Sequence, residues 1–298
     1  MLQKAWDAVA TSLGRRKRHA VVTMANDDFL EWFVGFLESF RRYNPTLPLW
    51  VVPFDDNFET VERLSRVYRY KLFRSGPVAE IETVRSTLYD DRYWKNRIRK
   101  LHCFAIPVPE FLYIDADSIV AHDLSPLFGL LRDDRPFLYG VTQVVGVYTA
   151  AAMAARPDTV LFSTGIYASS NKYISLQRIV DFALANAAAI REISPPSDID
   201  QPLTNYFIEQ QRIPIGPLDG LQSVIQAVEW AGKWDQLEIG ADWIRHNLTG
   251  KRVGIVHFSG RSRELSKGSP LDAMRREFLA AGFARMRRAG IAVPFRTG

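Results

Sequence analysis

The sequence predicts an α/β protein with a mostly parallel central sheet flanked by helices. Two observations carry this. Short apolar runs alternate with stretches of helical periodicity through the first half of the chain, the pattern of successive βα units. One run, residues 111–114, stops abruptly at the charged turn Asp115-Ala116-Asp117. In open α/β sheets, ligands bind outside the carboxyl ends of the strands.

The elements follow in order. Residues 19–24 read as a first strand. A helix over 27–42 comes next, with Asn26 or Asp27 as its cap and Trp32, Phe33, Phe36, Leu37 and Phe40 at helical spacing. Asn44-Pro45 ends it, residues 48–53 supply a second strand, and Asp55-Asp56-Asn57 opens another helix. Residues 95–106 are expected to be helical and to feed strand 111–114. Further strands fit 137–141, 160–167 and 252–258, and further helices fit 175–189, 202–210 and 271–288. Neither a P-loop nor a dinucleotide fingerprint is present, so a bound phosphate must be neutralised by other means.

Composition narrows the class. Of 298 residues, 47% are hydrophobic and 24% charged, which excludes a mainly disordered or fibrous chain. The single Cys103 excludes a disulfide framework and any cysteine-based metal centre. The formal charge of +5 is uneven: residues 251–298 hold 11 basic and 3 acidic side chains, residues 1–18 hold 5 and 1, and the body between is acidic. With no aromatic–basic interleaving and no DNA-binding motif, a nucleic-acid partner is not expected. Residues 136–155 carry no charge over roughly the length of a spanning helix. They include Thr142, Gln143, Thr149, Gly140 and Gly146, so no span is expected there. The polar N-terminus lacks a signal-peptide core, which makes a cytoplasmic protein the default.

Asp115 and Asp117, one residue apart at a strand end, would repel if left uncompensated. A divalent cation such as Mn²⁺ or Mg²⁺ removes that conflict and completes its shell with substrate phosphates. The plainer alternative is a solvated pair capping the following turn. Residues 253–260 deliver His257 at the end of another apolar run, and imidazole is an acceptable Mn²⁺ ligand. Gly260 permits close backbone approach to a phosphate. Arg261 and Arg263 follow, and guanidinium groups clamp phosphate oxygens.

With these residues in place, the sequence resembles the retaining GT-A glycosyltransferases of the glycogenin and bacterial galactosyltransferase group (glycosyltransferase family 8). The similar segments, in family order, are residues 23–29, 100–104, 115–117, 162–166, 200–205 and 257–263. The resemblance implies a GT-A nucleotide-diphospho-sugar transferase fold and transfer of a hexosyl group from a UDP-sugar with retention. It implies that Asp115, Asp117 and His257 hold Mn²⁺. Thr23, Asn26 and Phe29 match the nucleotide loop, with Phe29 where the family usually has a stacking Tyr. Asp115 and Ala116 also match donor contacts. Lys100 matches a basic residue touching the donor, and Asp200 and Gln201 match the pair beside the transferred sugar. Ser163 replaces the family's Asn. Gly260 and Arg263 match the diphosphate-binding Gly and Lys, but the Pro-Trp that follows is replaced by Glu264-Leu265.

The implied organisation is a basic extension (1–18), one glycosyltransferase domain (19–263) and a basic C-terminal helix and tail (264–298). In the tail, Leu271, Met274, Phe278, Phe283 and Met286 form an apolar stripe among arginines. That stripe fits either packing on the domain or peripheral contact with an anionic membrane. The acceptor is open. Trp230, Trp234 and Trp243 could stack on a sugar or serve as core. Rival functions are a sugar-phosphate nucleotidyltransferase, which needs a Gly- and Arg-rich loop after the first strand, and a catalytically weakened sugar-nucleotide-binding or membrane-surface protein.

Overall fold

A computed structural model describes residues 19–74, 78–88, 95–143, 146–195, 200–219 and 225–293. The expected extension 1–18 lies outside the described residues. The chain builds two sheets that meet at the Asp115–Asp117 turn. The first has the order β3-β2-β1-β4-β7-β6-β8. Its strands are β1 (His19–Ala25), β2 (Leu49–Pro53), β3 (Lys71–Leu72), β4 (Glu110–Ile114), β6 (Phe137–Tyr139), β7 (Ile166–Ser170) and β8 (Ile215–Pro217). All pair in parallel except β7, which runs against both β4 and β6. The second sheet comprises β5 (Ser118–Val120), β9 (Ile225–Trp230), β10 (Leu237–Ile239), β11 (Ile244–His246) and β12 (Arg252–His257). In it β12 is flanked by β5, antiparallel, and β9, parallel.

β4 is buried on both faces, as expected of a central strand in a helix-covered sheet. Leu112 and Ile114 join one core cluster, and Phe111 and Tyr113 join the other. On the first face lies α1 (Leu30–Tyr43), whose Leu30, Phe33, Val34, Leu37 and Phe40 are fully buried. The second face is covered by α3 (Val78–Leu88), α6 (Leu176–Ala185), α7 (Ala187–Ile193) and α8 (Asp200–Gln210), with a 3₁₀ helix over Lys95–Ala105. α2 (Glu59–Tyr68) follows β2. The short α4 (Ser125–Phe128) and α5 (Ala150–Ala154) lie in connections, and α9 (Ser262–Ser266) and α10 (Pro270–Arg288) close the described chain.

Two expectations are corrected and two are refined. Residues 95–105 are helical as expected, in 3₁₀ form: Ile98, Leu101 and Phe104, spaced by three, are all buried, and side chains at that spacing eclipse on one 3₁₀ face. The helix expected over 175–189 breaks at Asn186, whose Nδ2 donates to the Phe182 carbonyl at 2.9 Å. The strand expected at 160–167 begins only at Ile166. Before it, Asn205 of α8 pairs with the backbone of Phe162 in both directions, at 3.0 and 2.9 Å, where a neighbouring strand would otherwise bond. Of the two readings of the α10 stripe, packing on the domain is the one borne out: Leu271, Met274, Phe278, Phe283 and Met286 are all buried. Phe283 and Met286 share the core of α1, and Leu271, Met274 and Phe278 share that of the second sheet. The apolar stripe faces the protein and is not available to a membrane. Among the described residues, no helix is long and apolar enough to cross one.

Candidate functional site

An open cleft of about 540 Å³ lies where the carboxyl ends of β1, β4 and β12 converge. The chain leaves the first sheet at Ile114, turns through Asp115, Ala116 and Asp117, and enters the second sheet at Ser118. Two backbone bonds fix the turn: Asp115 N–H donates to Gly165 O and Phe258 N–H to Asp117 O, both at 2.8 Å. The pairing of Ser118 with His257 brings the imidazole beside the carboxylates.

His257 Nε2 lies 3.1 Å from Asp117 Oδ1 and 3.8 Å from Asp115 Oδ2. One ligand atom from each of the three residues falls within 4.8 Å of the others, a set that could hold a metal ion. Arg263 donates to Asp117 Oδ2 at 2.5 Å and, through Nε, to the Phe258 carbonyl at 2.8 Å. Lys100 Nζ bridges Asp115 (3.4 Å) and Asp200 (3.3 Å) and donates to Thr164 O at 3.2 Å. Tyr113 O–H donates to Asp115 Oδ1 at 2.6 Å.

The electrostatics follow from this packing. Burial works to raise the Asp117 carboxyl, but His257 and Arg263 outweigh it and hold that group well below the usual carboxylate range. Burial would lower the His257 imidazole, but Asp117 more than compensates and its pKa is raised. Burial and the neighbouring Asp115 push the Tyr113 phenol far up, which keeps it a donor.

Most residues singled out in the sequence meet here. Asn26, Phe29, Lys100, Asp115, Ala116, Asp117, Ser163, Asp200, Gln201, His257, Gly260 and Arg263 all line the cleft. Asn26 acts mainly within its loop: it accepts from Phe29 N–H at 3.2 Å and donates to Asp55 at 2.7 Å. Phe29 is 40% exposed, with Phe54 edge-on at 6.5 Å. The Ser163 hydroxyl accepts from Gly165 N–H at 3.2 Å. Asp200 lies in α8 and accepts from the Thr164 hydroxyl at 3.1 Å. Thr164 N–H donates to Gln201 Oε1 at 3.1 Å.

Thr23 does not reach the cleft. It is fully buried in β1, below Met24, Ala25 and Asn26, which do line it. Arg261 is exposed and outside it. None of Trp230, Trp234 and Trp243 lines it: Trp230 stacks on His257 at 5.3 Å, and Trp243 lies beside Arg245 and Arg252. His102 and Cys103 are packing residues, the imidazole pushed down to about 4 by burial and Arg99, the thiol pushed up by burial. Sequence reasoning missed Tyr113, Thr164, Arg97 and Trp32 as parts of the cleft wall. Trp32 had only the helical spacing of a core residue.

No protein-family model matches the sequence, and no curated protein matches it. Solved structures match in fold. The galactosyltransferase LgtC, in complex with donor and acceptor sugar analogs, superposes with a TM-score of 0.61 at 11% identity, over 88% of this chain and 95% of its own. Apo GlyE of Streptococcus pneumoniae TIGR4 gives 0.53 at 15% identity, over 95% of this chain and 66% of its own. Mouse xyloside xylosyltransferase 1 gives 0.54 at 10% identity, over 82% and 98%. What the chain shares with these proteins is the α/β GT-A architecture.

Proposed function

We propose that this protein is a metal-dependent glycosyltransferase, which moves a glycosyl group from a nucleotide diphosphate sugar to an acceptor. The observation that carries the reading is the Asp115–Asp117–His257 set, facing Lys100 and Arg263 across one cleft at the strand ends. The donor set fits a divalent ion. Two carboxylates suit Mn²⁺ or Mg²⁺ and the imidazole is an acceptable ligand for Mn²⁺; Lys100 and Arg263 lie against the two carboxylates, contacts that such an ion would have to replace. When bound, such an ion supplies charge stabilisation to a departing diphosphate.

The chain's own groups account for the rest. The Lys100 ammonium and the Arg263 guanidinium would bind the diphosphate oxygens as negative charge gathers there, usually the largest catalytic contribution. Asp200 and Gln201, held by Thr164 and the start of α8, would orient the sugar. Phe29 would stack on the base through its exposed ring. Ala116 and Gly260 would let backbone approach the donor, and Ser163 would line the sugar side. A uridine nucleotide, a hexosyl group and retention of configuration are proposed from the resemblance. With no unambiguous nucleophilic carboxylate, the departing phosphate would take the acceptor's proton on the same face.

The nucleotidyltransferase reading needs a phosphate cradle after β1. That segment is instead a 3₁₀ turn, Asp27–Phe29, with the Asp27 carboxylate accepting from Thr60 and Val61 N–H at 2.8 and 2.9 Å. The test is release of nucleoside diphosphate from a panel of nucleotide sugars, with Mn²⁺, Mg²⁺ or chelator. Release should require metal and fall roughly 100-fold or more in a folded Asp117→Ala protein, as loss of a main electrostatic group does. Equal rates with chelator or in that variant would refute the proposal, and pyrophosphate release from a nucleoside triphosphate would support the rival.

A further inference from the structure

The wall of the cleft beside Asp117 contains an arrangement that group transfer alone does not require. Arg275 of α10 donates to Asp272 through Nε and Nη2 at 3.3 and 3.2 Å, and to Glu31 at 3.2 Å. Its guanidinium carbon lies 4.5 Å from the centroid of Trp32. The indole leans on Phe258 at 5.6 Å and lies 4.8 Å from the guanidinium carbon of Arg263. An anchored arginine thus fixes the indole, and the indole fixes an outer arginine. That outer arginine takes Asp117 Oδ2, while His257 takes Oδ1, so both oxygens of the carboxylate are engaged.

We propose that Trp32 is a positioning residue, which holds Arg263 on Asp117 as the carboxylate's counter-ion until a metal ion and a diphosphate replace it together. This rests on the metal-dependent reading above. A metal ion arriving alone must displace the guanidinium from Asp117 and leave it without an anion. A metal ion arriving with a diphosphate gives the guanidinium a new partner in the same cleft. The cation–π contact with Trp32 and the Nε bond to Phe258 O limit how far Arg263 can turn, so the exchange is between two partners at one place. Loosening the indole therefore favours metal binding in the absence of nucleotide.

The experiment measures Mn²⁺ binding without nucleotide, from the electron paramagnetic resonance of free Mn²⁺. Trp32→Leu should bind Mn²⁺ roughly two- to tenfold more tightly than the wild type, the range that loss of one cation–π contact supports. Trp32→Phe, which keeps an aromatic face, should restore wild-type affinity. On an Arg263→Gln background Trp32→Leu should change nothing further, an outcome that a purely structural role for Trp32 does not give. Arg275→Met removes the anchor and should shift affinity in the same direction, which keeps the test available if Trp32→Leu does not fold. Unchanged or weaker Mn²⁺ binding by folded Trp32→Leu, or an equal gain on both backgrounds, would overturn the inference alone. Undiminished Mn²⁺ binding by Asp117→Ala would overturn the metal reading and this inference with it.

Discussion

Gly165→Ala is the sharpest probe of the proposed metal site, because it adds one methyl group and no charge. Gly165 precedes β7, and its carbonyl accepts from Asp115 N–H at 2.8 Å. A Cβ there would stand 2.5 Å from His257 Cε1 and 3.0 Å from Asp115 Oδ2. Carbon atoms pack at about 3.5–4.0 Å, so the imidazole would have to retreat by about 1 Å. It has little room: His257 is 2% exposed, stacks on Trp230 at 5.3 Å and lies 3.1 Å from Asp117. Overpacking of this kind costs about 1–3 kcal/mol. Expressed in the geometry of the three ligands, that is a roughly 5- to 150-fold loss of Mn²⁺ affinity, at about 1.4 kcal/mol per tenfold. The assay pairs Mn²⁺ binding with thermal unfolding, because strain relieved by moving β7 would appear as a lowered Tm instead. Gly35→Ala is the control, since a Cβ at that buried position in α1 meets nothing within 4 Å. A Gly165→Ala protein with wild-type Mn²⁺ affinity and wild-type Tm would refute the reasoning.

Two further outcomes are expected. The raised pKa of His257 means that the metal-free protein keeps its imidazole proton to higher pH than a free histidine does. A metal must expel that proton. Mn²⁺ affinity should therefore fall as pH drops through the raised value, by up to about tenfold per pH unit, and level off above it. Dissociation constants measured through the ordinary histidine range and above it check this, and a flat profile would remove His257 from the ligand set. Asp27→Ala removes the carboxylate that accepts from the first N–H groups of α2. Chemical denaturation should then show a loss of about 1 kcal/mol, as for other helix caps, with Mn²⁺ affinity unaltered.

The candidate metal ligands were legible because their strands are local. β4 and β12 are apolar runs that end on charge, and a reader needs only the run and its end to place Asp115, Asp117 and His257. The second sheet was mostly illegible for the opposite reason. β10 and β11 are three residues each, mix charged with apolar side chains, and pair with each other, with only β11 reaching β12. The segment before β7 was misread because a helix holds one of its edges: Phe162 bridges Thr142 on one side, while on the other Gln201 and Asn205 bond the backbone of Thr164 and Phe162 as a strand would. No periodicity encodes that substitution. Trp32 was hidden by its own pattern, since a residue at core spacing on α1 can stand at the core's edge and wall a cleft. Thr23 was misplaced by the converse fault. Its neighbours reach the cleft, but it sits deeper along the same strand, fully buried.

The cleft's charges suggest why its ligands would arrive together. Among the described lining residues, Arg97, Lys100 and Arg263 face Asp115, Asp117 and Asp200, so formal charge cancels when His257 is neutral. A divalent ion by itself leaves an excess of positive charge, and a diphosphate by itself an excess of negative charge. A diphosphate diester, with one charge on each phosphate, balances the ion. Charge imbalance costs more in a cleft partly removed from water than in bulk solvent. Each ligand should therefore strengthen the other, and by linkage to the same degree. The contacts that must exchange are already named: Arg263 on Asp117, and Lys100 shared between Asp115 and Asp200. The basic end of the chain then has a divided role, because Arg263 balances the cleft while Arg275 anchors the indole that holds Arg263 in place.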